Sequence, residues 1–368
     1  MNARKLNLVI KIGTLALCGA DGAPDAALLG KIVSEIAALK RLRHNVVLVT
    51  SGAVGSGRAL NRRHGTLHKC DEVAARQIFA SLGQTQLMAL YQSLLAPHGF
   101  AAAQILLTKQ DFLTRAHHKH MTHLFKALEK QPHIVPIVNE NDSVTVDELM
   151  FTDNDELAGL LAAMINADRF IILSHIAGVY DRPPGSPGAK IIPLIDWQGK
   201  KGVPGEVKGK SAGGRGGMQS KLGVARKMAA LGIRTHIAAA REENVIPRIL
   251  AGAPLGTVIA PASGKKNSAV KRWLASEVSA SPAAVTANAC LADIIRDHHQ
   301  AVSLLPVGLT SVKGEFGKGD LVRVTDEKGK PLALGVARYD AATLRRALGK
   351  KKQPVFIHYD QLHRMEAE

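Results

Sequence analysis

Short apolar runs recur along the first two-thirds of the chain, each stopped by a small or polar residue. Leu8–Ile12, Val46–Val49, Ile105–Leu107, Ile134–Val138, Phe170–Leu173 and Ile233–Ala238 read as buried strands. Between them apolar residues fall at helical spacing. The stripes are Leu28, Leu29, Ile32, Ile36 and Leu39; Ile78, Leu82, Leu87, Leu90 and Leu94; Leu157, Leu160, Leu161, Met164 and Ile165; and Met218, Leu222, Ala225 and Met228. Strand, helix and strand with short connections form βαβ units, which predicts an α/β fold with a mostly parallel sheet sandwiched by helices. Later in the chain the texture changes. Val302–Leu305, Leu321–Val324, Leu334–Val336 and Val355–Ile357 alternate with turns at Gly314, Gly317 to Gly319 and Gly329, which predicts a second, small β-barrel. At 368 residues the chain exceeds one compact core. The expected division is 1–262 and 281–368, with a linker at 263–280.

Polar residues gather where the strands end. Ile134–Val138 stops in Asn139, Glu140, Asn141 and Asp142, and Thr152, Asp153, Asn154 and Asp155 open the next helix. Ligands of α/β sheets bind at the carboxyl ends of strands. Asn and Asp serve turns and N-caps equally well, but two such clusters a dozen residues apart weigh towards a site. Lys11 lies near the end of the opening strand, before Gly13 and Thr14, and meets either water or a phosphate. The second strand ends in Ser51-Gly52, a hydroxyl and free N–H groups suited to a carboxylate or phosphate. Gly52, Gly55 and Gly57 spell G-x-x-G-x-G, which is not the dinucleotide fingerprint, and no strand-bound G-x-x-x-x-G-K-[ST] occurs. Ser174 and His175 end a further strand. The Gly/Lys-rich stretch 200–217 feeds a helix carrying Lys221 in its first turn, a natural phosphate cradle. Lysine there opposes the macrodipole, and makes more sense if an anion shares the site. Two lysines, glycine turns and acids, with no histidine base, suit the joining of two anions. A carboxylate acceptor is already ionised at neutral pH and needs no base. His117, His118, His120 and His123 crowd one helical segment. With no acidic or cysteine ligand at a matching interval, they read as a solvated helix face and not as a metal site.

The net charge of +17 raises a nucleic-acid reading. Its distribution tempers that reading. Residues 282–368 hold 13 Lys+Arg against 10 Asp+Glu, and the rest of the chain 35 against 21. Isolated cysteines at 18, 70 and 290 fit a reducing cytoplasm, and neither a signal peptide nor a membrane span is expected.

The segments VIKIGT, VTSGAVGSG, IVNENDSVT, FTDNDELA and GGMQSK, in this order and spacing, resemble the glutamate 5-kinases of the amino acid kinase family. The C-terminal part, from SLLPVGLTSVKGEFGKGDLVRV to ALGVARYDAATLRRALG, is similar to a PUA domain. The resemblance implies an amino acid kinase fold and ATP-dependent phosphorylation of the γ-carboxylate of L-glutamate, the first step towards proline, with Mg²⁺ accompanying the ATP. It implies that Lys11 contacts the transferring phosphate, Lys221 binds the donor phosphates and Asp155 orients both. Ser51, Gly52, Asp142 and Asn154 would hold glutamate, with Asp142 towards the α-amino group. Ser174, His175, Arg215, Gly216, Gly217, Met218, Gln219, Ser220 and Lys221 would form the nucleotide site. Proline as an inhibitor, RNA as a partner of the tail and a homo-oligomer are further implications. Three positions depart from the family pattern. His175 stands where an Asp is usual, Arg215 replaces a Thr, and Thr152 replaces a Gly. In the tail, Asn288-Ala289-Cys290 stands in place of an acidic-Gly-Ala turn. The alternatives are another small-carboxylate kinase of the same fold, or a kinase-dead RNA-binding paralogue.

Overall fold

The computed structural model describes residues 4–19, 21–65, 68, 70–113, 115–144, 153–196, 217–261, 283–297 and 302–365. The linker predicted at 263–280, together with Thr152, Arg215 and Gly216, lies outside them. Two compact units emerge: Met1–Lys109 with Leu124–Lys265, and Gln110–His123 with Lys266–Glu368.

The larger unit is built on an eight-stranded sheet. In chain order its elements are β1 (Asn7–Ile12), α1 (Thr14–Leu17), α2 (Ala26–Arg41), β2 (Asn45–Val49), α3 (Ala53–His64), α4 (Glu72–Leu95) and β3 (Ala101–Leu107). After α5 (Gln110–Leu113) and α6 (Arg115–Leu128), whose residues 110–123 belong to the other unit, come β4 (Ile134–Glu140), α7 (Asn154–Met164), β5 (Arg169–Ser174), β6 (Leu194–Asp196), α8 (Met218–Ala230), β7 (Arg234–Ala239), α9 (Val245–Leu250) and β8 (Thr257–Ala260). The strand order is β3-β4-β2-β1-β5-β7-β8-β6, parallel except where β8 runs against β7. β1 therefore sits between β2 and β5, with Lys11 opposite Val49 on one side and Ile172 on the other. Their apolar runs are buried because helices cover the sheet, as a parallel sheet requires. Asp25, Asp71 and Asp153 cap α2, α4 and α7 by accepting backbone N–H bonds from the first turn.

Two helix contacts depend on glycine. A Cβ at Gly57 of α3 would lie 1.9 Å from Phe79 O of α4, and one at Gly83 would lie 1.8 Å from Ala53 O. α3 and α4 thus touch backbone to backbone. In α7, a Cβ at Gly159 would meet Val224 Cγ1 of α8 at 2.5 Å.

Several elements differ from the sequence reading. Gly55 and Gly57, given no element by the sequence pattern, belong to α3, and at Gly57 the lost helix propensity is offset by the close contact with α4. Ile78 and Leu82 of the predicted stripe stay exposed, and α4 instead buries Ala80, Gly83, Gln84, Leu87, Tyr91 and Leu95. The histidine segment does form a helix, with His117, His120 and His123 exposed.

The smaller unit holds a five-stranded sheet ordered β10-β9-β11-β12-β13. Its strands are β9 (Ala284–Ala287), β10 (Leu309–Lys313), β11 (Leu321–Thr325), β12 (Pro331–Val336) and β13 (Leu362–Arg364), with helices α10 (Ala289–Arg296) and α11 (Ala341–Ala347). Val285, Leu304, Val322, Val324, Ala333, Leu344, Phe356 and Ile357 centre its core. The runs Val302–Leu305 and Val355–Ile357, expected as strands, meet only in a single bridge, Leu304 to Ile357. Pro306 and Pro354 flank them and cannot donate to a ladder.

Candidate active site

At the carboxyl ends of β1, β2, β4 and β5 the larger unit opens a cleft of about 190 Å³. Lys11 is carried there by β1, Ser174 by β5 and Asn139 by β4, while Asp155 and Lys221 arrive on the first turns of α7 and α8. Lys11 Nζ lies 2.6 Å from Asp155 Oδ1 and Lys221 Nζ 2.8 Å from Oδ2. The second contact is an aligned hydrogen bond, and the first is an ion pair without that alignment. The three side chains are among the most buried charges in the chain: Asp155 is 0% exposed, Lys11 4% and Lys221 7%. Burial alone would raise the Asp155 pKa, but the two ammonium groups outweigh it and hold the carboxyl below its ordinary value. One carboxylate between two lysines leaves one ammonium charge uncompensated within this trio, a local setting that favours an anion.

Why these lysines meet follows from the helices behind them. Gly159 and Val224 bring α7 and α8 together one turn after Asp155 and Lys221. The Ser220 hydroxyl donates to Asp153 Oδ2, tying the two helix starts together.

A second group of side chains forms the floor. Asn154 Nδ2 donates to Thr50 O at 2.7 Å, Asn139 Oδ1 at 2.8 Å and Ser51 Oγ at 3.0 Å. Asn139 in turn donates to Gln84 of α4. Gly52 turns the chain from β2 into α3 with φ +95°, a conformation only glycine takes freely, and a Cβ there would press on Cys18 and Leu17. The first turn of α3, Ala53 to Gly55, then lines the cleft with N–H groups that no intrahelical bond uses. Asp142 faces the same space and is ion-paired with Arg76 of α4 at 2.6 Å.

On the far side Ser174 Oγ is buried and has no hydrogen-bond partner among the described residues. His175 lies beside it; partial burial, and then the charge of Lys221, hold its imidazole below the usual 6.5, so it is neutral at pH 7. Gly217 is the N-cap of α8, and Met218, Gln219 and Ser220 form its first turn. Gly13 donates its own N–H to Leu173 O.

The structure thus gathers Lys11, Ser51, Gly52, Asp142, Asn154, Asp155, Ser174, His175 and Lys221 on one cleft. Ser220 is turned instead towards Asp153. Sequence reasoning passed over Arg76 and Asn139 as site residues. Asn139 was signalled by its polar cluster. Arg76 had no local signal, since it sits on a helix far along the chain from every motif.

The sequence matches the model of the amino acid kinase family over residues 7–239 and that of the PUA domain over 284–355. It is 41% identical over 357 residues to glutamate 5-kinase of Chlorobaculum tepidum, covering 97% of this chain and 96% of that one. To glutamate 5-kinase of Bacteroides thetaiotaomicron it is 38% identical over 361 residues, covering 97% and 98%. To that of Oleidesulfovibrio alaskensis it is 39% identical, covering 94% and 88%. The chain is a kinase: it belongs to the amino acid kinase family, in the glutamate 5-kinase group, and carries a C-terminal PUA domain.

Proposed function

We propose that this kinase transfers the γ-phosphoryl group of ATP to the γ-carboxylate of L-glutamate, giving L-glutamyl 5-phosphate, the first intermediate towards proline. The observation that carries the reading is the pair of buried lysines on Asp155 at the mouth of a cleft rich in carboxylate-binding groups. Lys11 neutralises charge as the two anions approach, Lys221 holds the donor phosphates, and Asp155 keeps both ammonium groups aimed without moving a proton. Asn154, Ser51 and the Gly52 turn hold the acceptor carboxylate, and Asp142 takes the α-amino group. One carboxylate oxygen attacks the γ-phosphorus, the bond to the bridging oxygen breaks, and ADP leaves with its electron pair. No proton is transferred. Ser174, His175 and the stretch Arg215 to Lys221 hold the nucleotide. Among the described residues no three His, Cys, Asp or Glu stand together to hold a metal, and Asp155 is engaged by the lysines. Mg²⁺ therefore belongs to this reading only as the counter-ion of the ATP phosphates, and no step runs through it.

A homo-oligomer, proline as a competing inhibitor, RNA as a partner of the PUA domain and a cytoplasmic site of action belong to the same reading. So does the division at 1–262, 263–280 and 281–368. No helix among the described residues is long and apolar enough to cross a membrane.

The test is coupled ADP release with L-glutamate, N-acetylglutamate and L-aspartate. Preference for glutamate is expected, and Lys11→Ala and Lys221→Ala are each expected to lower kcat by about 100-fold or more. Preference for either other acceptor, or no glutamate-dependent release, overturns the assignment.

A further inference from the structure

We infer that Arg76 and Asp142 together form a receptor for the amino acid head group, with Arg76 taking the α-carboxylate. The inference rests on the reading of the cleft as an amino acid site and adds the residue that selects for a free α-amino acid. Arg76 is placed by α4 and Asp142 by the turn after β4, so neither owes its position to the other. They meet at 2.6 Å on the wall of the cleft, with side chains 23% and 13% exposed. The first turn of α3 lines the same cleft.

A half-buried ion pair beside a ligand site can be exchanged for another pair of the same net charge. An α-amino acid head group carries an ammonium and a carboxylate on adjacent atoms. On its arrival Asp142 passes from the guanidinium to the ammonium, and the guanidinium passes to the carboxylate. One charge-assisted contact becomes two, and no charge is stranded in a shielded place. Other acceptors fare worse. A molecule with the amine but no α-carboxylate competes with Arg76 for Asp142 and offers Arg76 nothing. A molecule with the carboxylate but an acylated amine draws Arg76 away and gives Asp142 no ammonium in exchange. Rejection of an analogue that lacks one partner is strong when the site's own polar groups are left unmatched. The fork of Arg76 also suits a planar carboxylate better than an ammonium would.

The experiment is steady-state kinetics of the full chain with L-glutamate, and inhibition by 4-aminobutyrate, which lacks the α-carboxylate. Both are measured in wild type, Arg76→Gln and Arg76→Lys. Arg76→Gln is expected to raise the KM for L-glutamate by about 10- to 100-fold, the range for a hydrogen bond to a charged group. The KM for ATP should stay within about twofold, 4-aminobutyrate should bind at least as tightly as to wild type because its competitor for Asp142 is gone, and Arg76→Lys should recover part of the loss. Equal weakening of glutamate and 4-aminobutyrate would mean that Arg76 merely braces Asp142, and would overturn the inference. So would an unchanged KM for glutamate in an active Arg76→Gln enzyme, which would leave the glutamate reading standing. Absence of glutamate-dependent turnover in wild type would instead remove that reading, and this inference with it.

Discussion

Asp155 is wholly buried, and water cannot solvate its charge. Its two lysine partners make the charge tolerable, and it does the same for them. Asp155→Asn would leave two buried ammonium groups facing each other with no counter-charge. The expected cost is about 3–5 kcal/mol, the usual penalty for breaking a buried pair from one side, read as a loss in urea or thermal unfolding. The acid limb of stability follows with a definite sign. The folded carboxyl is held below its ordinary 3.8, so its contribution is complete above about pH 4 and drains away as pH falls through the folded value. The stability difference between wild type and Asp155→Asn should therefore hold constant above about pH 4 and shrink as pH falls through the folded value. That an anion shares the site of Lys221 was legible in the sequence, because the lysine opposes its own helix dipole there. That one carboxylate serves both lysines was implied by the family resemblance and not by any local pattern, since residues 11, 155 and 221 become neighbours only through the strand order.

Between elements, the site depends on how closely helices approach. Gly159→Ala would push α7 from α8, because its Cβ meets a methyl of Val224 at 2.5 Å. Overpacking of this kind costs about 1–3 kcal/mol and would draw Lys221 off Asp155. The expected result is reduced stability and kcat in Gly159→Ala, and recovery of both in the double variant with Val224→Ala. Purely additive losses in that cycle would refute the coupling. The α3–α4 contact at Gly57 and Gly83 has no such remedy, because the opposing atoms are backbone. These glycines also explain why α3 escaped the periodic pattern. A-V-G-S-G reads as a turn when propensity alone is considered, and only the neighbouring helix gives the glycines a reason to be helical. In the smaller unit the misread runs at 302–305 and 355–357 failed differently. They have the composition of strands, but prolines at their ends deny them a ladder.

For the molecule as a whole, the hydrophobic core around the five-stranded sheet is built, among the described residues, from residues between Ala283 and Leu362. A fragment of residues 281–368 is therefore expected to unfold in one cooperative thermal transition followed by circular dichroism. A broad, non-cooperative loss of signal would show that this core is insufficient by itself. The change from helical stripes to short strands with glycine turns announced the boundary, whereas the near-balanced charge of the tail said nothing about its fold. The larger unit is assembled in another way. β1 precedes every other strand along the chain, yet its second neighbour, β5, begins only at Arg169. On a ribosome, then, an apolar ribbon waits with one side bare while some 160 residues are added. Pairing across so long a separation is slow, and an uncovered ribbon is what holdase chaperones bind and what aggregates recruit.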